Sequence, residues 1–534
     1  MIKKENKKYN FKVNGSTNLQ SLNSYFKNNK IVNDDTILYN HIHTSLIKKT
    51  IFDLGLYFPT IFIQGMMGLI TASILSKFFN PQHYGNYIIA FTVYSQLILI
   101  TGSWIYFAII RLTPEYLLKG RFSDLALTLM ISEILILSLV TMVVLTILLF
   151  IKETINPELF SLLIVAVIGA FFLPLVSAME QFYRITDRTA KYCVIVLFRI
   201  LIGIGLGSVL AIGLQLGTVG FLGGLVIPNF CLVLWFTFIK RNQLISKIRY
   251  NKFSSLILKD AIKFSLPLVV VNAMSTVLIF ADRYLINWYL SAYEVAIYGV
   301  AYLIVNQGIE LVTLVLVRAG DPIAMRSWEE QGSKITYSYL SQLLRYYSLF
   351  AMPVLVGLII LGKDLIQLFS TSEYIVGAPV IGYVGLGVVF CGYTQLLNRV
   401  FAFNKRTVIP LTNFTVTTVV NILLNVLLIP KFGYISAAWS TLASYLFLFA
   451  LTVITSRRLV VIKLWELYLL RIVSSSVLMG IIIFWCKSFF QSVIFNITIS
   501  VVIGIFCYTI LLILFGEISV TDIQTISRKI KRLF

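Results

Sequence analysis

Histidine, cysteine and acidic side chains are scarce in this sequence. Its 534 residues include 3 histidines and 5 cysteines, and no two cysteines stand at a metal-ligand spacing such as CxxC. We therefore expect no metal, no disulfide framework and no cofactor. The sequence also lacks a phosphate-binding GxxxxGK(S/T) loop, which excludes ATP hydrolysis by that route.

Apolar residues, in contrast, are abundant. They make up 58% of the chain, charged residues make up 13%, and the mean hydropathy is +0.87. Because a bilayer core about 30 Å thick takes about 20 helical residues, the long apolar runs predict an all-α polytopic membrane protein with about 14 transmembrane helices. The predicted spans are near residues 54–78, 84–110, 125–151, 159–182, 192–214, 217–239, 264–287, 294–317, 340–362, 378–402, 408–429, 434–456, 465–485 and 492–515.

The basic residues test this topology. Most of the 44 Lys and Arg side chains lie in the two tails and in every second connection between the predicted spans. This alternation is typical of the positive-inside rule and predicts that both termini lie in the cytoplasm. The net charge of +21 is therefore interpreted as topological and not as a nucleic-acid-binding surface. The amino tail is expected to lie against the anionic headgroups of membrane lipids.

One passage of the sequence is written twice. NPQHYGNYIIAFTVYSQ, from Asn80, is echoed by SAYEVAIYGVAYLIVNQ, from Ser291, so that Gln96 of the first passage corresponds to Gln307 of the second. A second echo pairs LGTVGFLGGLV with FGYISAAWSTL. Each copy covers the same place in a set of six helices, which predicts two lobes in parallel orientation with a substrate site between them. The predicted layout is a flexible basic tail at 1–50, an N-lobe at 51–239, a cytoplasmic linker at 240–263, a C-lobe at 264–456, a further helix pair at 457–515 and a basic cytoplasmic tail at 516–534.

Four segments carry a family resemblance. LSKFFNPQHYGNY, FADRYLINWYLSAYEVAIYGVA, GKDLIQLFSTSEYIVGAPVI and LIPKFGYISAAWSTLASYL resemble the polysaccharide-transporter family of Wzx-like O-antigen and repeat-unit flippases. This family belongs to the superfamily that also contains the multidrug and toxin extruders. The resemblance implies a V-shaped pair of six-helix lobes, with the last two helices added to the common core of twelve.

The resemblance also implies a function and a location. It implies that an undecaprenyl-diphosphate-linked oligosaccharide moves by alternating access from the inner to the outer leaflet of the bacterial cytoplasmic membrane. The product would supply a surface polysaccharide such as O-antigen of lipopolysaccharide, capsule or exopolysaccharide. Other polysaccharide assembly proteins are further candidate partners.

A diphosphate needs cations, and arginine suits its multidentate oxygens better than lysine does. Charges at membrane depth are candidates for function. The predicted cationic cleft consists of Arg199, Arg345 and Arg399. The alternative is that the arginines near helix ends reach out to the headgroup layer.

Acidic and amide side chains inside the spans form the other candidates. Asp282, Arg283 and Glu310 are predicted to act as a gate or ion pair, and Glu133 and Glu180 are candidate coupling acids because a buried carboxyl group can carry a proton. The alternative is that each acid neutralises a nearby arginine. The candidate sugar contacts, which could equally hold helices together, are Asn272, Asn306, Gln307, Asn421 and Asn425.

Two other functions stay open at this point. A cation-coupled drug extruder of the same superfamily would favour acids over arginines in the cleft. A membrane polymerase or transferase would need acid and base residues on a large outer loop. The predicted outer loops are short, and the only histidines are His41, His43 and His83, so we expect no enzyme.

Overall fold

A computed structural model describes residues 59–60, 62–186, 188–239, 253–406, 408–457, 459, 467–487 and 492–517. Predictions for the amino tail, with His41 and His43, for residues 240–252 of the linker and for residues 518–534 lie outside the described residues.

Fourteen helices run through the described chain, and this part contains no β-strand. Thirteen of them are long and apolar enough to cross a membrane, and the first is a shorter apolar helix. The predicted fold class is therefore confirmed. The helices are α1 Phe62–Phe78, α2 Pro81–Leu118, α3 Phe122–Phe150, α4 Pro157–Ile185, α5 Thr189–Gly213, α6 Gly217–Ile239, α7 Ser255–Tyr289, α8 Ala292–Gln331, α9 Ser333–Phe369, α10 Ala378–Phe403, α11 Val408–Phe432, α12 Ile435–Ser456, α13 Leu467–Cys486 and α14 Val493–Leu514.

Local sequence explains where several of these helices begin. Asn80 precedes Pro81, and its side-chain oxygen accepts a hydrogen bond from the backbone N–H of His83 at 3.0 Å. Ser291 caps α8 in the same way through the N–H of Tyr293 at 3.1 Å. These two caps occupy equivalent places in the repeated passage, and each satisfies a donor that the first turn of a helix leaves without a partner.

Helix α7 begins earlier than predicted, at Ser255 instead of near residue 264. Its first turns bury Ile257 and Ala261 against α2 and α3, in a cluster that includes Leu129. Hydropathy alone missed these turns because their outer face carries charged residues.

Equivalent helix pairs pack in both halves of the chain. Helix α2 packs on α4 as α8 packs on α10, and α5 packs on α6 as α11 packs on α12. Helices α13 and α14 lie outside this pattern and pack on α9.

The two halves of the helix bundle are called the N-lobe, which consists of α1–α6, and the C-lobe, which consists of α7–α12. The end of the helices with the Lys- and Arg-rich connections, such as α2–α3 and α4–α5, is called the basic end, and the other end is called the neutral end.

Candidate functional site

The repeated passage forms the contact between the two lobes at the neutral end. Helix α2 packs on both α7 and α8. At Gly85 the approach is so close that an added Cβ atom would lie 1.7 Å from the carbonyl oxygen of Ala292. On the facing helix, a Cβ atom added to Gly299 would lie 2.7 Å from Ile88. Gly85 therefore lets its helix approach the backbone of α8, and Gly299 leaves room for the side chain of Ile88.

The two equivalent glutamines also reach across this contact. Gln96 accepts a hydrogen bond from the hydroxyl of Tyr284 on α7, at 2.9 Å. Gln307 lies against α1, where a Cβ atom added to Gly68 would be 3.3 Å from its Nε2 atom. Each glutamine thus contacts the first helix of the other lobe. Gln307 was predicted as a sugar contact, and the structure places it in the contact between the lobes.

Donors on α1 strengthen the same contact. Ser76 Oγ donates to the carbonyl oxygen of Phe369 at 3.3 Å, and Lys77 Nζ donates to that of Leu368 at 3.1 Å. These carbonyl groups lie at the carboxyl end of α9, where the partial charge is negative and the last carbonyls have no partner within the helix. The described contacts therefore hold the lobes together at the neutral end.

Replacing Gly85 with alanine is expected to separate the lobes at the neutral end, because the new methyl group collides with the backbone of Ala292. The distance between spin labels on Phe78 and Ser372, measured by double electron–electron resonance, should lengthen or broaden. Gly223→Ala is the matched control, since no atom lies within 4 Å of an added Cβ atom there. An unchanged distance in Gly85→Ala would contradict this account of the contact.

A cavity of about 270 Å³ lies inside the N-lobe and contains Arg199. Its lining consists of Met67, Phe91, Tyr94, Ser95, Ile98, Leu99, Leu173, Arg199, Ile200, Leu225 and Asn229. Leu99 is 40% exposed, so the cavity is open at that edge. Polar groups from three helices thus meet in an otherwise apolar chamber, which is the usual composition of a ligand site.

Arg199 lies 3.3 Å from Glu180, measured from its Nε atom to a carboxylate oxygen. The two side chains are 16% and 7% exposed. The two groups attract each other by charge without an aligned hydrogen bond, since Arg199 Nε and Glu180 Oε1 are both buried without a hydrogen-bond partner in the described chain. The guanidinium group is therefore neutralised on one side.

The other two predicted arginines have different acidic partners. Arg345 on α9 binds Glu517, with Nε to Oε1 at 2.6 Å and Nη2 to the backbone carbonyl oxygen at 3.2 Å. This pair fastens the chain just after α14 to α9. Arg399 on α10 pairs with Asp321 on α8, with an Nε to Oδ1 distance of 2.8 Å. A direct role of Arg345 and Arg399 in substrate binding stays a prediction.

The predicted gating residues Asp282 and Arg283 form a buried pair inside the C-lobe. Arg283 Nη1 lies 3.5 Å from Asp282 and donates to the carbonyl oxygen of Ile279 at 2.8 Å. The hydroxyl of Tyr298 donates to the other carboxylate oxygen of Asp282. The guanidinium carbon also lies 4.6 Å from the ring centroid of Tyr302. Asp282 is 1% exposed and Arg283 is 7% exposed, which favours a fixed role in packing over a moving gate.

The other predicted acids, Glu310 and Glu133, and two of the predicted amides do not line the Arg199 cavity. Glu310 is part of a π-helical turn, Asn306–Glu310, and accepts a hydrogen bond from Gln395 Nε2 at 3.3 Å. Such turns interrupt α-helices frequently at functional sites. Asn306 in the same turn and Asn272 on α7 are half-buried. Glu133 is fully buried in α3.

Asn421 and Asn425 join helices instead of lining the cavity. Asn421 Nδ2 donates to Ser444 Oγ on α12 at 3.1 Å, and Asn425 Nδ2 donates to Asn421 Oδ1 at 3.1 Å. Both are buried, with exposed fractions of 1% and 0%. This arrangement favours the alternative role of holding helices together.

Sequence reasoning missed three polar residues of the cavity. Tyr94 and Ser95 line it beside Gln96, and Asn229 is an amide within the apolar run of α6. Asn229 Nδ2 donates to the carbonyl oxygen of Leu225 at 2.9 Å, whereas its buried Oδ1 atom has no partner in the described chain. The isolated amide in an apolar span was a usable signal for this residue.

Comparisons with known proteins agree with this architecture. Residues 54–328 match the family model described as "Polysaccharide biosynthesis protein". A curated relative, the probable flippase AglR of Haloferax volcanii, is 30% identical over 169 residues, which are 30% of this chain and 34% of that protein. The match thus spans about a third of the length of that relative.

Solved structures show the same fold. The lipid II flippase MurJ in an inward closed conformation aligns with a TM-score of 0.65 at 19% identity, over 86% of this chain and 98% of that one. An inward-facing multidrug resistance MATE family transporter of the MOP superfamily aligns with a TM-score of 0.60 at 15% identity, over 74% of this chain and 95% of that one. A MOP superfamily transporter from Pyrococcus furiosus aligns with a TM-score of 0.54 at 16% identity, over 75% of this chain and 93% of that one. Since the family model covers more than half of the chain, this protein belongs to the polysaccharide biosynthesis protein family.

Proposed function

We propose that this protein is a flippase that moves undecaprenyl-diphosphate-linked oligosaccharide repeat units from the inner to the outer leaflet of the bacterial cytoplasmic membrane. Both termini would lie in the cytoplasm, and the product would enter a surface polysaccharide. The family, the curated relative described as a probable flippase and the fold shared with a lipid II flippase support this proposal.

The observation that carries the proposal is Arg199 in the N-lobe cavity. A cation at membrane depth is costly, about 2.5–3.5 kcal/mol on an insertion scale, so it needs a partner or a use. Glu180 lies 3.3 Å from Arg199 Nε, and Arg199 itself lines the cavity, so its guanidinium group would meet a ligand there. A planar fork of N–H donors fits phosphate oxygens well. The diphosphate would bind here, and the sugars would follow it as the lobes alternate.

The lobe contacts suggest how access would alternate. The contacts between α2 and α8 close the neutral end, so a headgroup would enter from the basic end. Opening the neutral end would break the hydrogen bonds from Ser76 and Lys77 to the end of α9. Polar headgroups would then cross without unsatisfied contacts in hydrocarbon, which cost several kcal/mol each.

The membrane potential can contribute to this movement. A diphosphate carries about two negative charges, and its outward transfer at about 100 mV, inside negative, would release roughly 4–5 kcal/mol.

The purified protein in proteoliposomes provides the test. An undecaprenyl-diphosphate oligosaccharide with an NBD label on its sugar is incorporated in both leaflets, and external dithionite then reduces the accessible label. The flippase is expected to expose the inner pool to reduction, whereas protein-free vesicles protect it. If the pool stays protected while the vesicles accumulate a cationic dye under a cation gradient, the extruder function is favoured instead.

A further inference from the structure

Glu133 is a buried carboxyl group that does not line the cavity described above. Its side chain is fully buried, with an exposed fraction of 0%, and neither carboxylate oxygen has a hydrogen-bond partner in the described chain. It follows Leu125 and Leu129 on one stripe of α3 at a spacing of four residues, and Leu137 continues the stripe. This stripe faces the lobe interior, so water does not solvate the acid.

The polar group that interacts with this acid is an indole. Trp104 of α2 belongs to the same buried cluster as Leu129 and Ala178, and its Nε1–H group is near Glu133 without an aligned hydrogen bond. Its Nε1 atom is itself buried without an aligned partner in the described chain. A neutral N–H group cannot compensate a buried negative charge, which costs far more than a buried neutral acid.

Charged groups on the surrounding helices do not supply that compensation. On α2, Arg111 is exposed, and on α4, Glu180 pairs with Arg199. On α7, the face packed on this cluster carries Ala261, whereas Lys263 is exposed.

The other charged groups near the basic end are also turned away. Arg184 on α4 is exposed, and so are Lys259 and Asp260 on α7. At the start of α3, Asp124 pairs with Arg121 at 3.0 Å. Within the described residues, no cation faces Glu133.

We propose that Glu133 is a proton-binding site of the N-lobe, occupied in the packing seen here and emptied toward the basic end when α3 becomes hydrated. Glu133 lies in the fourth turn of α3, about 16 Å along the axis from the basic end. A proton taken up while the neutral end is open and released at the basic end would move opposite to the substrate. The site would thus couple export to the proton gradient, a role that rests on the proposed function.

Infrared difference spectroscopy tests the site without any transport. Wild-type protein in lipid should show a deuterium-sensitive C=O band of a protonated carboxylic acid at neutral pH, and Glu133→Gln should lack that band. Glu153→Gln, at an exposed acid in the turn after α3, is the matched control and should keep it. If the wild-type and Glu133→Gln spectra differ instead by a carboxylate band, the proposal is wrong.

Coupling is tested in the proteoliposomes. For a one-proton exchange, each unit of pH gradient is worth about a tenfold change in the steady-state leaflet distribution of the labelled lipid. Glu133→Gln should still move the lipid but lose this response, while Glu153→Gln should retain it. A full pH response in Glu133→Gln would overturn the coupling role. Failure of the wild type to move the lipid would count against the proposed function and leave the infrared result to decide the site.

Discussion

Arg199→Ala is expected to slow lipid-linked oligosaccharide translocation by about 10- to 100-fold, because hydrogen bonds to charged groups contribute about 1.5–3 kcal/mol each. The substitution removes the one cation that the described residues place in the cavity lining, and it leaves the buried Glu180 beside the cavity without its charged partner. A diphosphate would then meet a buried negative charge in place of a positive one. The dithionite assay, normalised to the amount of reconstituted protein, measures the change.

Three further variants separate binding from folding. Arg199→Lys keeps the charge but loses the planar fork, so its rate should lie between those of alanine and wild type. Glu180→Gln removes the neutralising acid and should leave translocation near the wild-type rate. Arg184→Ala changes an exposed arginine at the end of α4 and should have no effect. Equal rates for Arg199→Ala and Arg184→Ala would exclude Arg199 from the substrate site.

The helices were predictable because hydrophobicity alone determines which segments can span a membrane. The repeat predicted that the two passages occupy the same architectural place in two lobes, and in the structure Gln96 and Gln307 each contact the first helix of the other lobe. Small residues at such a contact are a known requirement for close helix approach. The sequence could not show that the two passages contact each other, because a repeat gives equivalence and not proximity.

The partners of the arginines were not predictable. Arg345 meets Glu517, which is 172 residues later in the chain, and Arg399 meets Asp321 on another helix. In a membrane helix the buried and lipid-facing sides are both apolar, so periodicity gives no orientation around the helix axis. Without that orientation, a list of acids and arginines cannot be sorted into pairs. The predicted alternative that an acid neutralises a nearby arginine fits Glu180 and Arg199 well.

The same reasoning explains the amides. Asn421 and Asn425 were correctly placed on one face of a helix by their spacing of four. Which neighbour that face meets depends on the packing of α11 on α12, where Ser444 supplies an acceptor. A polar side chain inside a membrane bundle therefore predicts a polar neighbour. Only the packing shows whether that neighbour is another helix or a bound substrate.

Removing the positive member of the buried C-lobe pair should have the largest effect on stability. Arg283→Met is expected to lower the free energy of unfolding by about 3–5 kcal/mol, since breaking a buried pair leaves an uncompensated charge on the partner. Asp282 would keep the hydroxyl of Tyr298 and the backbone N–H at position 283 but lose its cation. Thermal unfolding of the purified protein in detergent should show a clear decrease in midpoint.

A double variant distinguishes charge from packing in this prediction. Asp282→Asn combined with Arg283→Met removes both charges and should recover part of the lost stability, because the amide can still accept the hydrogen bond from Tyr298. Arg326→Met is the matched control, since that arginine forms an exposed pair with Glu330 and such pairs contribute little. If the double variant is as unstable as Arg283→Met alone, the arginine acts through its packing on the rings of Phe280 and Tyr302. In that case the C-lobe is held together at this point by shape, and the charge of Asp282 has another use.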